Sequence, residues 1–300
     1  MTSPPAPLLD SERIYAIAVA ATLIYLAIFI GYPFAYNLLM SVQDVSLGNL
    51  RDLARPFVGL ANYREIVEDP LFWRVTTNTF LFVGGNVLAS FVLGLALALF
   101  FDRGFPGAAL MRGLLLAGWI LPPMVVGAVF KWILATEYGI LNEALSRLGL
   151  LRDRLYWISD PDMALLSVTV ANVWYGTPFT MILLAAGLAT VPQEFYEAAA
   201  LDGAGRWRRF RHVTLPMLMP TILAVLALTT IYTLRVFDLI WTMTRGGPAD
   251  ATNILPLWSF LFSFELFKFG HGAAVASISM LVVIAIAAVY VRSLRSENRL

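Results

Sequence analysis

The chain has 300 residues, 59% of them hydrophobic and 14% charged, with a mean hydropathy of +0.74. So much apolar surface does not fit inside one soluble core, so lipid must solvate much of the chain. A net charge of +1 offers no excess for a polyanion, and two histidines with no cysteine exclude a thiolate or imidazole metal cluster and a disulfide framework.

Crossing roughly 30 Å of hydrocarbon takes about 20 apolar residues of helix, and six segments qualify. A short tail, 1–13, precedes the first, 14–42, which is too long for a signal-peptide core and is predicted to be retained. The second covers 75–101. The third, 110–134, contains Pro122 and Pro123 and runs on through Lys131 and Trp132. The fourth, 163–191, contains Pro178, and the fifth, 213–243, opens with Pro216 and Pro220 and carries Arg235 and Asp238 near its end. The sixth, 272–291, leads to a tail, 293–300. Neighbouring helices can satisfy backbone groups freed by proline, so these prolines predict kinks rather than ends. The fold class expected is an all-α integral membrane protein of six transmembrane helices. Trp73, Trp132, Trp157 and Trp258 lie near span ends, where an interfacial belt would place them.

An even number of crossings puts both termini on one side, with the segments 102–112 and 192–212. Of the 21 basic residues, ten fall on that side and ten on the other, with Arg235 inside a span, so the count does not decide orientation. Crowding of the first ten against span ends leans toward the cytoplasm.

The segment PQEFYEAAALDGAGRWRRFRHVTLPMLMP, from Pro192 to Pro220, is polar without being loop-like. Pro192 opens a helix, Glu194 and Glu197 suit its first turns, and FYEAAAL has high helix propensity. Gly203 and Gly205 interrupt it before a second short helix holding Trp207, Phe210 and four arginines. Such a helix-turn-helix reads equally as an interfacial amphipathic hairpin whose arginines touch anionic headgroups.

The spacing Glu197-Ala198-Ala199, three residues, Gly203, nine residues, Val213-Thr214-Leu215-Pro216 resembles the EAA signature of ATP-binding-cassette (ABC) importer permeases, E-A-A-x3-G-x9-I-x-L-P, departing only at Val213. The flanking text FVGLANY (57–63), Asp202-Gly203-Ala204, Phe237-Asp238 and Gly246-Gly247-Pro248 is similar to the carbohydrate-uptake branch, and the resemblance runs over about residues 14–292. It implies one transmembrane domain, 14–292, whose segment 192–216 is a cytoplasmic coupling helix docking on an ATPase subunit. The implied coupling residues are Glu197, Ala198, Ala199, Asp202, Gly203, Arg206, Leu215 and Pro216. Partners would be a second homologous permease, two ATPase subunits, an extracytoplasmic solute-binding protein, membrane lipid and a carbohydrate; no nucleic acid is expected. Location would be the bacterial inner membrane with both termini cytoplasmic. No catalytic residue, metal or cofactor is expected on this chain, with ATP and Mg on the ATPase. In agreement, Lys131 and Lys268 both follow phenylalanine, so neither completes a phosphate-binding loop.

Ionisable groups within spans are functional suspects. Arg235 and Asp238, at i and i+3, either pair with each other or face the solute pathway. Asn172, Trp174, Tyr175, Thr177 and Trp241 have the chemistry to line a sugar pathway, and packing is the competing role for each. Asn78 is ambiguous in the same way. Within the family, permeases for glycerol 3-phosphate, polyols and polyamines are the nearest alternatives. A secondary transporter is less consistent, because the chain has no convincing internal repeat.

Overall fold

The computed structural model describes residues 11–52 and 54–297; within these, side chains are described for 14–52, 54–290 and Arg292. Of the predicted tails, 1–10 and 298–300 fall outside the described residues, whereas 11–13 and 293–297 continue the helices of the first and last spans, the last helix running Phe269–Glu297. The chain divides into two compact units, one from the N-terminal side to Ile66 with Ser259–Ser277, the other Val67–Trp258 with the stretch from Ile278 onward. Among the described residues, five helices are long and apolar enough to cross a membrane, or six if one sharply bent pair is a single span.

In the first unit, α1 (Ser11–Leu26) passes through a π-turn (Ala27–Gly31) into α2 (Tyr32–Ser41). Side chains along this span are almost all exposed, as lipid or another chain would require. The polar segment after it is tied down by side chains. Asn62, on α3 (Ala61–Glu68), donates from one amide to the carbonyls of Ser41 and Gln43, both at 2.9 Å. Gly270 lies so close that a Cβ would stand 2.6 Å from the Gln43 oxygen. His271 Nε2 meets Glu65 Oε2 at 2.8 Å.

The second unit is organised by α4 (Pro70–Asp102) and α8 (Pro161–Leu188), which pack along each other. Both start in the same way. An aspartate N-cap, Asp69 or Asp160, accepts from the backbone N–H two residues on (2.8 and 2.9 Å), and a proline fills the first helical position, where no N–H is needed. These caps start α4 at Pro70, five residues before the predicted span. Small residues set the closest approaches. A Cβ on Gly94 would stand 2.8 Å from Thr180 Cγ2, and one on Gly187 would stand 2.6 Å from Thr221 Cγ2 of α11 (Leu215–Leu234). Lipid provides no hydrophobic drive to bring two helices together, so such close packing carries the association. Phe101, Met181, Leu184, Leu188, Leu218, Ile222 and Val225 fill the apolar core between these helices.

Two predicted spans are corrected. The third is α5 (Ala108–Ile120) and α6 (Pro123–Ile133), bent by 98°. Leu121 and Pro122 each precede a proline, which forces both out of the helical region to ψ of 142° and 135°. The fifth span ends at Leu234 instead of continuing to Met243; residues 235–237 are not helical, and α12 (Asp238–Met243) is a separate turn. α6 reaches α12 through Gly127, whose Cβ position lies 3.0 Å from the Leu239 carbonyl oxygen.

Outside the spans, α7 (Ile140–Arg147) is held by buried Asn142, which donates to Thr136 and Leu155 oxygens and accepts from Trp157 Nε1 at 2.9 Å. Trp157 is thus a structural partner of that loop. Trp258, in α13 (Leu255–Phe260), is 3% exposed and packs near Phe72, which corrects its expected place in an interfacial belt. Trp73 and Trp132 are exposed.

Replacing Gly127 by valine drives side-chain atoms into a backbone oxygen that cannot rotate away. The expected cost is about 1–3 kcal/mol, read as a lower thermal unfolding midpoint of the purified protein. Gly113→Val, at a position where an added Cβ meets nothing within 4 Å, serves as the control.

Candidate functional site

Both breaks in the helical ladder open onto one cavity of about 360 Å³ in the second unit. This volume is within the roughly 300–1,000 Å³ usual for small-molecule sites. Pro123 lines it from the first break, and Arg235, Val236, Phe237, Asp238 and Leu239 from the second. α5, through Trp119, and the long helices supply the rest. Ser90 comes from α4; Asn172, Tyr175, Phe179 and Thr180 from α8; Thr229, Tyr232 and Thr233 from α11.

One wall is aromatic. Trp119 stacks on Phe179 with centroids 4.9 Å apart and planes at 17°, and Phe179 meets Tyr232 edge-on at 5.7 Å. Such a wall offers flat apolar faces next to a phenol hydroxyl. Polar side chains share the lining, and one of them, Asn172, is bonded to Asn86, which does not itself line the cavity. Asn86, 1% exposed, donates to Phe82 O and accepts from Asn172 Nδ2 at 2.9 Å. Asn172 is held by this bond with its own carbonyl oxygen free of donors among the described residues. Thr229 Oγ1 is buried without a hydrogen-bond partner, an uncommon state for a buried hydroxyl.

Of the two alternatives for Arg235 and Asp238, mutual pairing is not made: neither has an ion pair among the described residues, and both line the cavity. Each sits at a helix end of favourable polarity. Arg235 caps the C-terminus of α11 and Asp238 opens α12, where the backbone dipole partly offsets each charge.

Of the pathway candidates, the cavity collects Asn172, Tyr175, Arg235 and Asp238 and leaves out four. Trp174 is half exposed and packs on Phe130 at 5.6 Å, with its ring against Gly118. Thr177 is buried and donates to Val173 O. Trp241 stacks on Phe237 at 5.8 Å with the Arg245 guanidinium over it. Asn78 donates to the Asp250 and Asn253 carbonyls, pinning the loop after α12. Trp119, Phe179, Tyr232 and Thr229 escape the sequence reading, because three aromatics on three separate helices have no spacing rule to unite them.

A second feature stands at one end of the bundle. α9 (Gln193–Leu201) stops in a glycine cap, with Gly203 at φ +75°, its N–H bonded to Ala200 O at 3.0 Å and the Ala204 N–H to Ala199 O at 2.9 Å. This is a Schellman cap, and it uses glycine for its left-handed backbone, since a Cβ there would meet nothing within 4 Å. After the turn, α10 (Arg206–Arg209) continues through a π-turn (Phe210–Thr214) into α11. Tyr196 OH donates to Thr214 Oγ1 at 3.0 Å and ties the two arms together. Glu197, Ala198, Asp202, Arg206 and Pro216 are exposed, Ala199 and Leu215 are half-buried, and Leu201 is 90% exposed.

A family model described as "Binding-protein-dependent transport system inner membrane component" matches residues 90–296, a stretch that contains the hairpin and all the residues that line the cavity. The chain belongs to this family. It is therefore the multi-pass membrane permease of a binding-protein-dependent transport system. This permease is 34% identical over 288 residues to the sulfoquinovosyl glycerol transport system permease protein SmoG of Agrobacterium fabrum, covering 96% of this chain and 92% of that one. It is 35% identical to the diacetylchitobiose uptake system permease protein DasB of Streptomyces coelicolor, covering 92% and 83%. With the trehalose/maltose transport system permease protein MalF of Thermococcus litoralis it shares 36% identity, covering 79% and 80%. In fold it matches a chain of a bacterial ABC transporter that imports the acidic polysaccharide alginate, with a TM-score of 0.81 at 21% identity over 96% of this chain and 97% of that one.

Asn172→Leu removes the donor to Asn86 and leaves that buried oxygen unpartnered in a low-dielectric core. A loss of about 1–3 kcal/mol is expected, visible in thermal denaturation of the purified permease. Asn172→Gln should lose less.

Proposed function

We propose that this permease carries a sugar or glycoside across the inner membrane as one of two membrane subunits of an ATP-driven importer. The cavity's composition carries the solute class. Its aromatic residues share the lining with an asparagine, an arginine and an aspartate, a set that can stack on a sugar ring and meet its hydroxyls as both donors and acceptors. Relatives named for sulfoquinovosyl glycerol, diacetylchitobiose and trehalose/maltose support the same class.

The capped hairpin 192–216 is the coupling element in this reading. Glu197 is its charged contact on a cytoplasmic ATPase subunit, Ala198 and Ala199 permit close approach, Gly203 and Asp202 shape the turn, and Arg206, Leu215 and Pro216 carry motion into α11. The complex contains a second related permease, two ATPase subunits that hold ATP and Mg, and an extracytoplasmic binding protein that delivers the solute. Closure of the ATPase dimer draws the hairpins together and opens the cavity outward; hydrolysis resets it. In this reading the chain crosses six times and both termini lie in the cytoplasm with the hairpin.

The test is solute-stimulated ATP hydrolysis by the reconstituted complex, with sugars loaded on the cognate binding protein. Wild type should respond to one sugar. Glu197→Ala and Gly203→Asp should lose at least tenfold of that stimulation while still inserting, the second by adding a side chain at positive φ that costs on the order of 1 kcal/mol and misplaces the turn. Unchanged stimulation in both variants would sink the coupling assignment. Transport by this chain without any ATPase subunit would sink the importer reading itself.

A further inference from the structure

From Arg206 to Leu234 the backbone is one continuous helix of 29 residues, through α10, the π-turn and α11. At 1.5 Å per residue it is about 43 Å long, against a hydrocarbon layer of roughly 30 Å. The helix is therefore longer than the layer, and its polar end, Arg206–Thr214, which holds Arg206, Arg208, Arg209 and Arg211, is the part that leaves the hydrocarbon.

The side chains there are arranged for an interface. Trp207 and Phe210, three residues apart, share one face with ring centroids 5.6 Å apart, and Trp207 is 69% exposed. Arg206, Arg208 and Arg211 are exposed around that pair, and among the described residues none of the four guanidinium groups makes an ion pair. Arg209 lies half-buried with its Nε in a buried position and without a hydrogen-bond partner. Acidic residues of the hairpin, Glu194, Glu197 and Asp202, are all on the other arm or in the turn.

We infer that this second arm is an anionic-phospholipid site, with Arg206, Arg208 and Arg211 binding headgroup phosphates and Trp207 and Phe210 seated at the acyl boundary. Helix length and charge both point to this occupant. A cationic cluster with no anion of its own, joined without a break to an apolar span, is complementary to the phosphates of an anionic leaflet. Guanidinium groups bind phosphate in bidentate fashion, and an aromatic pair next to them fits the headgroup layer. The two arms of the hairpin thus divide their work, α9 toward the ATPase subunit and α10 toward the lipid. The lipid site stands whether or not the coupling reading does.

The experiment uses the assembled transporter, titrated with phosphatidylglycerol and, separately, phosphatidylcholine, with bound lipid read by native mass spectrometry. Arg208→Gln with Arg211→Gln should weaken phosphatidylglycerol binding by about 25-fold, roughly fivefold per arginine, and leave phosphatidylcholine binding unchanged. Arg208→Lys with Arg211→Lys should retain binding within a few-fold, which separates lost charge from lost folding. Wild-type phosphatidylglycerol affinity in the double glutamine variant would overturn the proposal. So would release of the ATPase subunits with lipid binding intact, since the arm would then be a protein contact. Glu197→Ala, measured in the same lipids, should keep wild-type phosphatidylglycerol binding whatever it does to ATP hydrolysis.

Discussion

Hydrocarbon cannot hydrogen-bond a peptide group, and the architecture follows from that constraint. Every backbone N–H and C=O inside the layer needs a partner from the protein, so the chain crosses as helices and can break a helix only where other protein groups or a polar cavity face the break. This permease breaks its ladder at Leu121–Pro122 and at residues 235–237, and both breaks border the same cavity. The polar site is thus located where irregular backbone is tolerated. Its charged residues, Arg235 and Asp238, stand at the two helix ends that the second break creates.

Lipid also removes the ordinary force that packs helices, because a tail is as apolar as a leucine. What remains is contact at short range, and glycine supplies it. Gly94 admits Thr180, Gly187 admits Thr221 and Leu218, and Gly127 admits the backbone of α12. These contacts run along the helices that frame the cavity, so its dimensions depend on side chains that are absent. The buried Asn86–Asn172 pair adds direction to the same packing, since a hydrogen bond between helices fixes their rotation as well as their distance.

The hairpin obeys different physics, those of the water boundary. Its turn is a hydrogen-bonded glycine cap, its arms are joined by Tyr196 and Thr214, and most of its surface is exposed. A rigid, polar element fused to the start of α11 can transmit displacement to the helix that carries Thr229, Tyr232 and Thr233 into the cavity. Continuity between the hairpin and the cavity is therefore built into one helix.

Sequence by itself determined the solvent and the hairpin, through hydrophobic run length and the spacing around Glu197 and Gly203. Tertiary structure alone decided the size of the proline effect at Leu121–Pro122, because a proline pair predicts a bend but the 98° turn depends on what α6 packs against. It also decided that α11 ends before Arg235, that Trp258 is core, and that Asn78 holds a loop 172 residues away. Above all it decided the membership of the cavity. Trp119, Phe179 and Tyr232 come together from three helices, and no local rule relates residues whose contact depends on how those helices cross.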